Sequence, residues 1–349
     1  MQRAMELAML GAGHVSPNPR VGCVIAHDGK IVGEGWHQKF GGAHAEVNAI
    51  HAVEDKSILG EAVLYVNLEP CAHYGKTPPC VDLIIQHRLK KVVIANKDPN
   101  PLVMGRGIEK LKAAGIAVEL GILKKEGKFL NRRFFTFINQ NRPYIILKWA
   151  QTSDGFIASE NEDSKWISNL YSRQLVHKWR TEEDAVLVGT RTAAHDNPQL
   201  TVREWTGRNP TRLVIDRFLK LDKSLLLFDG TNPTRCYNLL KNEKYPNLVY
   251  VQLNEKDFIV QMLADCYQCG IQSIIVEGGA QTLKNFIEGG CWDEARVFTS
   301  MQPFGSGIKA PVMAGALSAQ ETIQGDDLRT YTRERANSTA GWDIDPIFF

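Results

Sequence analysis

Residues 62–80 read AVLYVNLEPCAHYGKTPPC, and the architecture of the first half of the chain follows from this stretch. Its apolar run from Ala62 to Leu68 is typical of a buried strand. Cys71 comes shortly after that strand, and Cys80 stands at the start of a helix predicted over Val81 to Arg88. A strand, a polar turn and a helix in this order indicate an α/β layer structure.

A second motif supplies an imidazole to the two cysteines. His44 and Glu46 stand at the start of the preceding predicted helix, so His44, Cys71 and Cys80 offer three ligands to a metal. Zinc with three such ligands keeps a fourth position open to water, which is typical of catalytic sites. Glu46 is not needed for coordination and is predicted to shuttle a proton from the water to a departing amino group, as in zinc deaminases. A closed structural site with His73 as fourth ligand is the alternative.

Strands and helices alternate through the rest of the first half. Two apolar runs, Val21–Ala26 and Ile31–Trp36, flank Asp28-Gly29, which predicts a hairpin. A polar helix is predicted from Lys124 to Asn141, and with the following Arg142-Pro143 it marks a boundary. We therefore expect one domain over residues 1–142 and a second over residues 143–349.

The composition limits the possible partners. A length of 349 residues allows two domains, and 44% hydrophobic residues leave little room for disorder. The net charge is +2, from 41 basic and 39 acidic residues, so no global field favours nucleic acid or a membrane surface. No apolar stretch approaches the length of a spanning helix, and the N-terminus lacks the features of a secretion signal. We expect a cytoplasmic protein, in which the seven cysteines are reduced thiols or metal ligands.

The second half is also predicted to be α/β. Its apolar runs include Tyr144–Lys148, Ala185–Gly189 and Ile271–Val276. The last run is followed by Glu277-Gly278-Gly279 and a helical pattern, so backbone N–H groups at a helix start can face a phosphate. This is not a Gly-x-Gly-x-x-Gly fingerprint, which counts against an ordinary Rossmann domain.

Four motifs in the first half resemble the riboflavin-biosynthesis deaminase, a branch of the cytidine-deaminase superfamily. They are Asn18-Pro19-Arg20-Val21-Gly22, His44-Ala45-Glu46, residues 69–80 and Asp98-Pro99-Asn100-Pro101. The resemblance implies a cytidine-deaminase-like three-layer α/β/α domain and a diaminopyrimidinone substrate with a ribosylamino phosphate, from which ammonia is released. It also implies that the substrate is held by Asn18, His73, Lys76 and Thr77. The residues alone leave open that residues 72–79 form a polar surface loop.

In that family the deaminase is fused to a reductase with a dihydrofolate-reductase-like α/β fold, and motifs of this domain recur in the second half. The resemblance implies that the cofactor is NADPH, which transfers hydride to the ribose C1 and turns a ribosylamino group into a ribitylamino group. The implied NADPH contacts are Ala150, Trp166, Thr192, Asp196, Gly279, Ala280, Gln281, Thr282, Leu283, Lys284 and Asn285. The implied substrate contacts are Ser164, Arg180, Leu200, Arg203 and Glu277. The resemblance covers roughly residues 1–315, with a poor fit beyond, and it implies a homo-oligomer, a dimer or a tetramer.

Two other functions fit parts of the sequence. A cytidine-type or tRNA-adenosine deaminase with an unrelated second domain requires a basic, aromatic-laced face, but the tight cluster of that kind, Arg132-Arg133-Phe134-Phe135, lies in the interdomain helix. A non-enzymatic zinc-stabilised binding protein has no need of Glu46. We therefore expect a small-molecule substrate, with no nucleic-acid or membrane partner.

Overall fold

The structure, a computed structural model, describes residues 1–74, 78–101, 103–160, 167–313 and 315–333. Its residues form two compact units, Met1–Asn141 and Arg142–Phe349, so the predicted boundary lies one residue further along the chain. Among the residues described, no helix has the length and the apolar content needed to cross a membrane. Four residues predicted to bind substrate or cofactor fall outside the described residues: Lys76, Thr77, Ser164 and Trp166.

The first unit is a mixed five-stranded sheet with helices on both faces. Its elements are α1 (Gln2–Met9), β1 (Gly22–His27), β2 (Lys30–Trp36), α2 (Ala45–Ala52), β3 (Val63–Leu68), α3 (Cys80–Gln86), β4 (Lys91–Asn96), α4 (Arg106–Ala113), β5 (Ala117–Leu120), α5 (Lys124–Leu130) and α6 (Arg132–Gln140). The strand order is β2-β1-β3-β4-β5. β1 is antiparallel to β2 and β3, whereas β3, β4 and β5 are parallel.

Strand β1 contributes to two core layers, because successive side chains of a strand point to opposite faces of the sheet. Cys23 and Ile25 belong to a buried cluster with residues of α2, α3 and α4. Val24 packs instead with Ala4 and Leu7 of α1. The sheet therefore lies between two helical layers, which confirms the predicted three-layer α/β/α fold.

The hairpin predicted around Asp28-Gly29 is confirmed by the pairing of His27 with Lys30. The single helix predicted from Lys124 to Asn141 is wrong, because the segment forms two helices that meet at Asn131. The side-chain oxygen of Asn131 accepts from the Arg20 backbone nitrogen at 2.8 Å, and its amide donates to the Arg20 carbonyl at 2.9 Å. Asn131 is thus held by a distant segment, a constraint that the helical pattern does not contain.

The second unit is built on a ten-stranded sheet. Its elements are β6 (Tyr144–Gln151), β7 (Phe156–Ala158), α7 (Leu170–Glu182), β8 (Ala185–Gly189), α8 (Thr190–Asp196), β9 (Thr211–Ile215), β10 (Thr234–Asn238), β11 (Glu243–Tyr245), β12 (Leu248–Gln252), α9 (Phe258–Gln268), β13 (Ser273–Val276), α10 (Ala280–Glu288), β14 (Glu294–Thr299), β15 (Ile308–Lys309), β16 (Ala316–Ile323) and β17 (Asp326–Thr332). The order of the large sheet is β11-β12-β10-β9-β8-β13-β6-β14-β17-β16, and β7 pairs with β15 separately.

The large sheet is also covered on both faces. On β6, Ile145 and Leu147 pack in a cluster with residues of α9 and α10. Tyr144 and Ile146 pack in a second cluster with residues of α7 and α8. The central strands β6, β8 and β13 are parallel and buried. Strands buried on both faces are nearly continuous apolar runs, and such runs were the signal by which the sequence predicted these three strands.

Candidate active sites

The three metal ligands predicted from the sequence come together in the first unit. The Nδ1 atom of His44 lies 3.5 Å from the Cys71 Sγ and 3.3 Å from the Cys80 Sγ, and the three ligand atoms all lie within 4.8 Å of one another. Zn–S bonds of about 2.3 Å and Zn–N bonds of about 2.0–2.1 Å at tetrahedral angles place nitrogen and sulfur roughly 3.6 Å apart. The spacing and the donor set therefore fit a zinc ion. Of the residues that the structure describes, His73 is not in this group.

Local packing sets the positions of these ligands. His44 is the N-cap of α2, and that helix lies so close to β2 that a Cβ on Gly35 would be 2.4 Å from the backbone nitrogen of Ala49. The Cys80 backbone N–H, at the start of α3, donates to the Cys71 Sγ at 3.3 Å. A hydrogen bond from the Cys80 thiol also lowers the pKa of Cys71 well below its usual value. Cys71 is therefore the sulfur best stabilised as a thiolate, which is the form that binds metal.

Glu46 lies beside the three ligands in the first turn of α2. Its side chain is buried, and this burial raises its pKa to about 7. Glu46, His44 and Cys71 line one cavity of about 300 Å³. A carboxyl group with a pKa near neutrality can both accept and donate a proton, which is what general acid–base catalysis needs.

The wall of this cavity also includes Asn18, His37, His73, Asp98 and Asn100. The Nδ1 atom of His37 is 2.9 Å from the Ala43 carbonyl oxygen, so this nitrogen carries the proton. The Nε2 atom then accepts from the Asn18 amide at 3.0 Å and fixes the orientation of that side chain. His37 had no predicted role, although a polar residue directly after the end of β2 was a usable signal.

Two predicted cofactor contacts come together in the second unit. The neighbouring parallel strands β8 and β13 each lead into a helix, α8 and α10. The Thr192 hydroxyl, in α8, accepts from the backbone N–H of Gly279, the N-cap of α10, at 2.8 Å. A Cβ on Gly278 would lie 2.8 Å from the Gly189 nitrogen, so glycine is required for this approach. Two adjacent helix starts are a suitable place for a pyrophosphate.

The other predicted cofactor residues have different environments. Ala150 is half-buried on β6, and Asp196 is exposed at the end of α8. Leu283 is buried in the core, whereas Lys284 is exposed and pairs with Glu288. The remaining predicted residues of α10 are all at least partly exposed: Ala280, Gln281, Thr282 and Asn285. Leu283 is therefore part of the packing of α10, and its side chain is not available to a ligand.

Arg180 and Glu277, both predicted to contact substrate, are paired with each other. The Nε and Nη2 atoms of Arg180 donate to the Glu277 carboxylate at 2.7 and 2.9 Å, and Nη1 donates to the Thr201 carbonyl at 3.0 Å. The Lys148 ammonium lies 3.8 Å from the same carboxylate. Burial alone raises the pKa of Glu277, but the charges of Arg180 and Lys148 outweigh it and lower the pKa to about 2. Lys148 had no predicted role, although a lysine inside an apolar strand was a signal for one.

The two predicted substrate contacts in the segment after α8, Leu200 and Arg203, have different environments. Leu200 is buried in the core cluster that contains Val176, so its side chain is not free to contact substrate. Arg203 is exposed, and its backbone N–H donates to the His177 Nδ1 at 3.2 Å. His177 itself is buried, with only 6% of the residue exposed. Burial lowers the pKa of His177 to about 4, so the imidazole is neutral.

The two units thus define a class of protein, a zinc-type deaminase domain followed by an α/β nucleotide-binding domain. Residues 1–96 match the family described as the cytidine and deoxycytidylate deaminase zinc-binding region. Residues 143–337 match the RibD C-terminal domain. The riboflavin biosynthesis protein RibD of Aquifex aeolicus is 41% identical over 330 residues, which cover 93% of this chain and 92% of the relative. The chain belongs to the RibD family, the bifunctional deaminase–reductases of riboflavin biosynthesis.

Solved structures agree over nearly the whole chain. The Thermotoga maritima diaminohydroxyphosphoribosylaminopyrimidine deaminase/5-amino-6-(5-phosphoribosylamino)uracil reductase has a TM-score of 0.87 and 38% identity, covering 95% of this chain and 97% of its own. RibD of Acinetobacter baumannii has a TM-score of 0.86 and 32% identity, covering 96% and 98%. The predicted fold of both domains is thereby confirmed, and the second domain is of the reductase type.

The family match extends further than the sequence motifs indicate. A poor fit was expected beyond about residue 315, but the match continues to residue 337. Strand β17 explains the difference, because it pairs with β14 from Asp327–Thr299 to Thr332–Glu294 and so belongs to the main sheet. The alternative of a deaminase with an unrelated second domain is wrong, because residues 143–337 match the RibD C-terminal domain.

Proposed function

We propose that the first unit hydrolytically deaminates 2,5-diamino-6-ribosylamino-4(3H)-pyrimidinone 5′-phosphate and that the second reduces the product with NADPH. The final product is 5-amino-6-ribitylaminouracil 5′-phosphate. The observation that carries the proposal is the cavity that Glu46 lines together with His44 and Cys71, two members of the His44–Cys71–Cys80 ligand group. The two activities in the name of the Thermotoga maritima relative support the choice of substrate.

His44, Cys71 and Cys80 would hold the zinc ion, which when bound acts as a Lewis acid and lowers the pKa of a coordinated water. Glu46 takes a proton from water on its carboxylate and delivers it to the amino nitrogen that leaves as ammonia. Asn18, fixed by His37, hydrogen-bonds to the pyrimidine, and His73 contacts the polar groups of the substrate. We assign the phosphate to Lys76 and Thr77 on the resemblance alone.

In the second unit we place the NADPH pyrophosphate at the starts of α8 and α10. The bond between Thr192 and Gly279 supports this placement, since it joins the two helix starts. Glu277 directly precedes this glycine pair, so the Arg180–Glu277–Lys148 cluster lies next to the cofactor position along the chain. We propose that this charged cluster binds the sugar phosphate end of the substrate while hydride is transferred to the ribose C1.

The deaminase proposal is tested by Glu46→Gln, with the exposed carboxylate of Glu54 changed in Glu54→Gln as the matched control. General acid–base groups contribute about 10²–10⁴-fold to rate, so ammonia release is expected to fall at least ~100-fold in Glu46→Gln alone. Zinc content, measured by plasma mass spectrometry, is expected to stay the same in both variants. Ammonia release at the wild-type rate by Glu46→Gln would refute the mechanism.

The expectations of a homo-oligomer, dimer or tetramer, and of a cytoplasmic location stay predictions. Light scattering of the purified chain measures the first directly. A monomer at micromolar concentration would contradict it.

A further inference from the structure

A buried carboxylate outside the ligand group organises one wall of the deaminase cavity. Glu69 follows β3, and its backbone N–H donates to the Asn96 carbonyl at 2.9 Å, which continues the pairing of β3 with β4. The residue is only 4% exposed. It precedes the ligand Cys71 by two positions, yet it has no part in the ligand group.

The Glu69 carboxylate accepts four backbone N–H groups from one distant segment. Its Oε2 atom accepts from Asp98 at 3.3 Å and from Gly105 at 3.0 Å. Its Oε1 atom accepts from Gly107 at 3.0 Å and from Ile108 at 3.3 Å. The first turn of α4 therefore has its unpaired N–H groups satisfied by this side chain, and the negative charge lies at the favourable end of the helix.

The same segment is packed tightly against the cysteine loop. A Cβ on Gly107 would lie 2.3 Å from the Pro70 carbonyl oxygen and 3.2 Å from the Glu69 Oε1. Glycine at this position is therefore what lets the start of α4 reach the carboxylate. Two independent features, the three hydrogen bonds to Gly105, Gly107 and Ile108 and the close backbone contact at Gly107, hold the start of α4 in one position.

The bonds continue from Glu69 to the cavity wall. The Asp98 backbone is held by Glu69, and the Asp98 Oδ1 accepts from the Asn100 backbone N–H at 2.8 Å. Both Asp98 and Asn100 line the cavity that contains His44 and Glu46. We propose that Glu69 is a positioning residue of the deaminase site, which keeps Asp98 and Asn100 in place to bind the substrate. This inference rests on the proposed deaminase function.

The test is Glu69→Gln, which keeps the size of the side chain but places an NH₂ group against two backbone N–H donors. Because Asp98 and Asn100 belong to the cavity wall and not to the ligand group, we expect the KM of deamination to rise at least tenfold and kcat to change less than threefold. Zinc content and NADPH oxidation with the deaminated substrate should equal those of the wild type. The matched control is Glu119→Gln, an exposed carboxylate that pairs with Lys91.

A second variant, Gly107→Ala, displaces the start of α4 by a steric contact. Gly107→Ala pushes the start of α4 away from Pro70 without changing the carboxylate, and it is expected to reproduce the rise in KM. Hydrogen exchange at Asp98, Gly105 and Ile108 should become faster in Glu69→Gln. This comparison keeps the test decisive if Glu69→Gln does not fold.

Unchanged KM in a folded Glu69→Gln or in Gly107→Ala would overturn the inference. Loss of zinc with an unchanged KM would also overturn it, because Glu69 would then act on Cys71. A wild-type chain that releases no ammonia would instead refute the proposed function, and the inference with it.

Discussion

Replacing Glu277 by glutamine is expected to destabilise the second unit strongly. The side chains of Arg180 and Glu277 are 11% and 8% exposed, and that of Lys148 is 17% exposed. Removing one member of a buried ion pair costs about 3–5 kcal/mol, because the remaining charge stays buried without a partner. Glutamine still offers a carbonyl oxygen to Arg180, so we expect a loss of about 3 kcal/mol in the free energy of unfolding, or roughly a hundredfold in the equilibrium constant.

The loss should depend on pH in a defined direction. The pKa of Glu277 is about 2 in the folded protein, below the value of about 4.3 for an unperturbed glutamate. The folded state is therefore stabilised by this carboxylate above pH 4.3, and that stabilisation disappears as the pH falls through about 2. Glu277→Gln lacks this contribution at every pH. The difference in stability between wild type and variant should shrink as the pH is lowered from 5 towards 2.

Hydrogen exchange of the slowest amides in β6 and β13 measures this stability without assuming that the two units unfold together. Ile145 and Ile275, on these strands, are fully buried and report on the core. Glu288→Gln is the matched control, since Glu288 is 64% exposed and its pair with Lys284 is worth a few tenths of a kcal/mol. A loss below about 1 kcal/mol in the free energy of unfolding of Glu277→Gln would show that the charges of Arg180 and Lys148 do not need this carboxylate as a buried partner.

Three further outcomes are expected. Gly278→Ala places a methyl group 2.8 Å from the Gly189 nitrogen and should weaken NADPH binding at least tenfold in a fluorescence titration, with deamination intact; an unchanged affinity would contradict the cofactor position. Asn131→Ala removes the acceptor that this side chain offers to the Arg20 backbone N–H, and it removes one of the two amide donors to the Arg20 carbonyl, which also accepts from Asn67. This change should cost roughly 1–3 kcal/mol by hydrogen exchange in β1, whereas wild-type protection would refute that anchor. Removing zinc with a chelator should stop ammonia release and leave NADPH oxidation with the deaminated substrate unchanged; a joint loss would show that the sites are not independent.

Sequence patterns were sufficient to predict those structural elements that are determined by residues close together in the chain. The Asp28-Gly29 turn, the strand before Cys71 and the helix that begins at Cys80 all follow from residues within a few positions of each other. The three residues that could hold zinc are also recognisable for this reason, because each stands at the end of a predictable element. The fold of both domains followed from those motifs and from the family resemblance.

Long-range contacts account for what the sequence did not show. The break at Asn131 depends on Arg20, more than a hundred positions earlier, and no periodicity of the helix records it. The family resemblance implies that Arg180 contacts substrate, but its pairing with Glu277, 97 positions later, is visible only in the structure. Leu200 is similar, since only the packing around it shows that its side chain is buried.

The most direct test of the account is NADPH oxidation by the purified zinc-loaded chain, offered either the diaminopyrimidinone ribosylamino phosphate or its deaminated product. We expect oxidation with both compounds in the wild type. In Glu46→Gln, oxidation should be lost with the first compound and retained with the second, which would establish two active sites that act in sequence. Equal oxidation of the first compound by wild type and Glu46→Gln, or ammonia release without any NADPH oxidation, would contradict this account.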